Sequence, residues 1–166
     1  IVSLWSRTGS SWQSRSRKSP PVTAVTTPSK IAPNQATSDW IARCAPEIVA
    51  TAKPTIYAKR ILDHFELSQY FVYIYGSELT GERTNKADLI HYILEHEQLN
   101  PEECLMVGDR QYDVLGARHN GIEAVAVTYG YGTAEELAQA QPKAMIKQFS
   151  ELLDYVEELA AQKKVS

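Results

Sequence analysis

Two aspartates stand four residues apart, Asp109 and Asp113, directly after the apolar residues Leu105, Met106 and Val107 and the turn residue Gly108. Gly108 lets the backbone bend and approach a ligand closely. If the residues between the aspartates begin a helical turn, both carboxylates return to one side. Two carboxylates in one crevice repel each other, and a hard divalent cation, most simply Mg²⁺, relieves that repulsion. The same spacing fits a purely structural role, with Asp109 capping the helix that starts near Arg110 and Asp113 pairing with Arg110 or Arg118. Spacing alone leaves both readings open.

Lys86 follows the loop "GSELTGERTNK" at the start of a helical stretch. A cation there joins backbone N–H groups that already favour anions, so together they suit a phosphate; a solvated lysine is the plain alternative. Thr51 closes the apolar run "EIVAT". Its hydroxyl and the N–H groups after it suit a phosphate oxygen, or else cap a helix near Pro54. Ser77 and Arg83 are weaker candidates for substrate contact. The four histidines share no spacing and read as structural or solvated, and the turn "TYGYG" lacks the pattern of a dinucleotide loop.

These residues need elements to hold them. "EIVAT" reads as a strand, "TIYAKRILDHF" as a helix, "FVYIYGS" as a strand and "TNKADLIHYILEHEQL" as a helix capped by Thr84 or Asn85. "CLMVG" and "EAVAVTYG" read as strands around the short helix "DVLGARHNG", followed by "TAEELAQA" as a helix, "KAMIKQ" as a short strand and "FSELLDYVEELAAQ" as an amphipathic closing helix. Strands alternating with helices predict βαβ units and a Rossmann-like, three-layer α/β core with a mainly parallel sheet. Such sheets bind ligands beyond the carboxyl ends of their strands.

Of the 166 residues 43% are apolar, which suits one globular domain, and the net charge of −3 gives no pull toward nucleic acid or an anionic membrane. Residues 1–46 differ from the remainder: they hold six Lys or Arg against the single acid Asp39, and they are rich in Ser, Thr and Pro. They read as a disordered or non-domain segment, with residues 47–166 as the domain. The two cysteines form no metal or disulfide pattern and suit a reducing, cytoplasmic setting. No apolar stretch approaches the roughly 18 residues a membrane span needs.

Taken in order, a strand ending in Thr51, Lys86 at a helix start and "GDRQYD" after an apolar strand resemble three motifs of the haloacid dehalogenase-like (HAD) phosphohydrolases. The nearer likeness is to the phosphoglycolate phosphatase branch and its 5′-nucleotidase relatives, and it covers roughly residues 47–157. The resemblance implies Mg²⁺-dependent hydrolysis of small phosphate monoesters through an aspartyl-phosphate. Thr51 and Lys86 would hold the phosphoryl group beside the Gly108 backbone. Asp109 would bind the metal, and Asp113 would support the metal site or orient Lys86. The family's nucleophile lies in a DxD motif on an amino-terminal strand, and this sequence has no DxD. The helical cap that follows that motif is missing as well. The core is therefore expected to be incomplete at its amino terminus and the polypeptide inactive, or else a non-catalytic phosphate- and metal-binding remnant. Loss of the central strand further predicts self-association through an exposed sheet edge. A small phosphorylated metabolite is the expected partner.

Overall fold

The computed structural model describes residues 3–6, 48–148 and 150–162. Six strands form one sheet: β1 (Ser3–Ser6), β2 (Ile48–Pro54), β3 (Tyr73–Ser77), β4 (Cys104–Gly108), β5 (Glu123–Val127) and β6 (Ala144–Ile146). Their order across the sheet is β3-β2-β1-β4-β5-β6. The helices are α1 (Thr55–His64), α2 (Lys86–His96), α3 (Gln111–His119), α4 (Ala134–Gln139) and α5 (Ser150–Gln162). β2 and β3 are parallel, as are β4, β5 and β6, while β1 is antiparallel to both β2 and β4. β2 and β4 therefore point the same way, and the sheet is parallel apart from one short central strand.

That strand departs from the expectation. Ser3–Ser6 belong to the segment read as disordered, yet they fill the slot between β2 and β4. The remainder of residues 1–46 lies outside the described residues. All four residues of β1 pair with β4, and Ser3 and Leu4 pair with Val49 and Ile48 of β2, so the exposed edge expected at the centre of the sheet is covered at those positions. The physical reason is that two unpaired strand edges form a ready template for any extended segment.

β4 and β5 are buried on both faces, which is why "LMV" and "AVAV" read as continuous apolar runs rather than alternating ones. Cys104 and Met106 face a core built with Leu89, Ile90 and Ile93 of α2, Val114 and Ala117 of α3, and Leu137 of α4. Leu105 and Val107 face the opposite way, onto Leu152 and Val156 of α5. Each large side chain so buried contributes about 1.5–3 kcal/mol. The two cores make the three layers and clamp β4 and β5, whose carboxyl ends carry the chemistry below. No described helix is long and apolar enough to cross a membrane.

Candidate active site

β1 sets the register of the two strands beside it. Ser3 lies opposite both Val49 and Val107, so these valines are level. One residue further along, Ala50 reaches the level of Gly108, and Thr51 that of Asp109. β4 ends at this level, two strand spacings or about 10 Å from β2, which runs on past Thr51 to Pro54.

Lys86 bridges that gap from the first turn of α2. Asn85 caps the helix by accepting from the Ala87 N–H at 2.8 Å. The Lys86 side chain is almost fully buried. Its Nζ donates to the Ala50 carbonyl at 2.8 Å and pairs with Asp113 Oδ1 at 3.0 Å. An ammonium carries three N–H donors, so these two bonds fix its position and leave one for an anion. The second Asp113 oxygen accepts from the Arg110 N–H at 3.1 Å, tying the first turn of α3 to the same hub. Two glycines make room for it. A Cβ at Gly108 would come within 2.4 Å of the Asp113 Cβ, and one at Gly116 within 2.8 Å of Lys86 Cγ.

Asp109 sits in a different setting. It is half-buried, its Oδ2 accepts from the Tyr131 N–H at 2.9 Å and its carbonyl from the Gly132 N–H at 2.9 Å. The loop after β5 thus wraps onto it, and a Cβ at Gly130 would lie 2.2 Å from the Asp109 Cβ. Burial, and then the charge of Asp109, push the Tyr129 hydroxyl up from its ordinary range. This loop is what the sequence reading missed. Its signal was two glycines flanking one tyrosine at a strand end, which mark a close backbone approach.

The structural alternatives resolve individually. Asp109 does not cap α3, whose N-cap is Arg110. The Arg110 side chain pairs with Glu136 at 2.9 Å, and Glu136 also accepts from the Gln111 N–H at 3.0 Å. The Gln111 N–H first, and then Arg110, hold the Glu136 carboxyl below the usual range. Arg118 donates to the carbonyls of Ala140 and Gln141. Asp113 therefore pairs with Lys86 rather than with either arginine. Thr51 Oγ1 accepts from the Lys53 N–H at 3.2 Å, a local turn, and α1 begins later with Pro54 at its N-cap. Ser77 and Arg83 serve the fold: Ser77 Oγ donates to the Ala52 carbonyl at 3.0 Å, while Arg83 pairs with Glu78 and lies 4.3 Å above the Tyr92 ring.

The donor set bears on Mg²⁺. Both Asp113 oxygens are engaged, so Asp113 acts as the partner of Lys86. Among the described residues, Asp109 has one oxygen beyond its bond to the Tyr131 N–H. No cluster of three His, Cys, Asp or Glu suited to a metal occurs among the described residues. Mg²⁺ keeps several waters and takes one or two carboxylates together with substrate phosphate oxygens. One carboxylate at a strand end fits that habit, with Asp109 as the residue that would hold the ion. A groove of about 640 Å³ opens beside the hub, lined by Ala52, Asn85, Lys86, Tyr112, Leu115 and His119 among others.

Residues 46–127 match the family model described as haloacid dehalogenase-like hydrolase. A 5′-nucleotidase of Pseudomonas aeruginosa is 49% identical over 94 residues, covering 57% of this chain and 42% of that protein. A phosphoglycolate phosphatase of Photobacterium profundum is 31% identical over 111 residues, covering 67% of this chain and 48% of that one. A haloacid dehalogenase-like family hydrolase from Streptococcus pneumoniae superposes with a TM-score of 0.66 at 34% identity, over 72% of this chain and 55% of its own. The chain belongs to the haloacid dehalogenase-like hydrolases, on the side of the family that holds phosphoglycolate phosphatases. It spans about half the length of the curated relatives it matches.

Proposed function

We propose that this chain carries the phosphate- and metal-holding half of a phosphatase site for small phosphate monoesters, phosphoglycolate- or nucleotide-like. The observation that carries the reading is Lys86: a buried ammonium fixed at two points, by the Ala50 carbonyl and by Asp113. Phosphoryl transfer asks the protein chiefly for positioning and charge stabilisation. Lys86 offers its remaining N–H to a phosphoryl oxygen, and Asp113 keeps that ammonium aimed. The Thr51 hydroxyl donates to a second oxygen, and the Gly108 backbone allows close approach. Bound Mg²⁺, held through Asp109, supplies neutralisation of phosphate charge.

Covalent phosphoryl transfer also needs an in-line carboxylate. Between the strands of Thr51 and Asp109 stands β1, whose residues Ser3–Ser6 include no acid. On this reading the chain binds phosphate with Mg²⁺ and turns it over at no more than a background rate. Measuring p-nitrophenyl phosphate hydrolysis with Mg²⁺ tests it. A rate at background supports a binding half, whereas a robust rate abolished by Asp109→Ala shows that the chain has a nucleophile of its own.

A further inference from the structure

Glu136 lies on α4, outside the set of residues that would touch phosphate or Mg²⁺, yet its carboxylate reaches the mouth. Oε1 accepts from the Gln111 N–H at 3.0 Å and from Arg110 Nε at 2.9 Å. The Thr133 backbone contributes a further hydrogen bond. One carboxylate thus spans two segments that are distant in sequence. Arg110 and Gln111 directly follow Asp109. Thr133 directly follows Tyr131 and Gly132, whose N–H groups donate to the Asp109 carboxylate and carbonyl, each at 2.9 Å. Both segments that fix Asp109 therefore meet on Glu136. Glu136 is itself anchored, because its N–H donates to the capping Thr133 Oγ1 at 3.1 Å and the next residue, Leu137, is fully buried in the core.

We propose that Glu136 is a positioning residue for Asp109: it locks the turn after β4 to the loop after β5 and so aims the second Asp109 oxygen. The inference rests on the reading of Asp109 as the residue that holds Mg²⁺. That ion demands near-ideal octahedral geometry, so a carboxylate free to swing binds it poorly. Partners standing behind a metal ligand are worth about 10–100-fold in metal affinity. The task is one of position rather than charge, since Arg110 already neutralises the Glu136 carboxylate. Glutamine at this site keeps an acceptor for the Gln111 N–H; alanine does not.

Calorimetric titration of inorganic phosphate, with and without Mg²⁺, is the test on the wild type, Glu136→Ala, Glu136→Gln and Lys143→Ala. The inference expects Glu136→Ala to lose about ten-fold of the tightening that Mg²⁺ gives. Its Mg²⁺-free phosphate affinity stays that of the wild type, because the Lys86 hub is untouched. Glu136→Gln restores most of the tightening. Lys143→Ala, which breaks an exposed pair with Glu123 at the far end of β5, changes nothing. Full tightening in Glu136→Ala overturns the inference. So does an equal loss in the alanine and glutamine variants, which would make charge the cause, or a matching loss of Mg²⁺-free affinity, which would mean general damage. Hydrogen exchange at the Tyr131 and Gly132 amides reads the grip on Asp109 without any metal. Faster exchange there in Glu136→Ala, with the Val125 amide unchanged, supports the inference, and unchanged exchange at both amides overturns it. A wild type indifferent to Mg²⁺ defeats the reading of Asp109 as an ion holder, and the exchange at these two amides then decides the inference alone.

Discussion

Asp113 and Asp109 are four residues apart in sequence and belong to two different regions of the mouth. Asp113 lies in a closed hub, 3% exposed, with each oxygen committed to a fixed donor. Asp109 lies on an open rim, half-buried under a glycine-containing loop that gives it one side-chain contact. The difference separates two tasks that identical side chains can perform. A carboxylate whose oxygens are both occupied in a buried pair orders its neighbours. A carboxylate with an oxygen to spare at a strand end can hold an ion.

The largest expected effect breaks the hub. Asp113→Ala leaves Lys86 buried beside a lone carbonyl, and removing one member of a buried ion pair costs about 3–5 kcal/mol. Chemical denaturation should show a midpoint shifted far down, and a loss below 1 kcal/mol would mean that the pair is not closed off from water. Next, Gly116→Val forces a side chain against Lys86 Cγ, where even a Cβ is too close. Overpacking of this kind costs about 1–3 kcal/mol, read by the same titration.

Tyr155 tests the opposite layer, away from the mouth. Its hydroxyl is buried with no hydrogen-bond partner among the described residues. Burial, and then the charges of Glu123 and Glu158, push it up to about 12. A raised value means that folding favours the protonated phenol. That contribution is whole below the unfolded value of about 10 and is lost as pH rises through about 12. Tyr155→Phe should therefore raise stability by about 1 kcal/mol at neutral pH and flatten the alkaline decline in thermal scans. An unchanged alkaline limb would remove Tyr155 as its cause.

The smallest effect on stability belongs to the rim. Asp109→Asn keeps an acceptor for the Tyr131 N–H and should cost no more than about 0.5 kcal/mol. Comparable losses for Asp109→Asn and Asp113→Ala would erase the distinction between rim and hub.

Much of this was legible in the sequence. The order of strands and helices follows from apolar runs and turn residues, as at "CLMVG" and "EAVAV", because buried parallel strands are continuous in their hydrophobicity. The cap at Asn85 and the placement of Lys86 at a helix start and of Asp109 just after a strand are equally local, whereas the strand read as ending at Thr51 runs on to Pro54. The division of labour between Asp109 and Asp113 was not, because it depends on where Lys86 Nζ reaches across two strands. β1 was illegible for a similar reason. Four residues, "SLWS", carry no period of their own, and their pairing spans more than forty residues to β2. The loop at Tyr131 became meaningful only once Gly130 was seen against Asp109.

The central claim is that Lys86 and Asp109 grip a Mg²⁺-bound phosphate at one mouth of the sheet. Calorimetric titration of inorganic phosphate, with and without Mg²⁺, tests it on the wild type and on Asp109→Asn. The account predicts binding that tightens at least ten-fold with Mg²⁺ in the wild type and is indifferent to Mg²⁺ in the variant. Binding that ignores Mg²⁺ in the wild type, or a Mg²⁺ response that survives in Asp109→Asn, would contradict it.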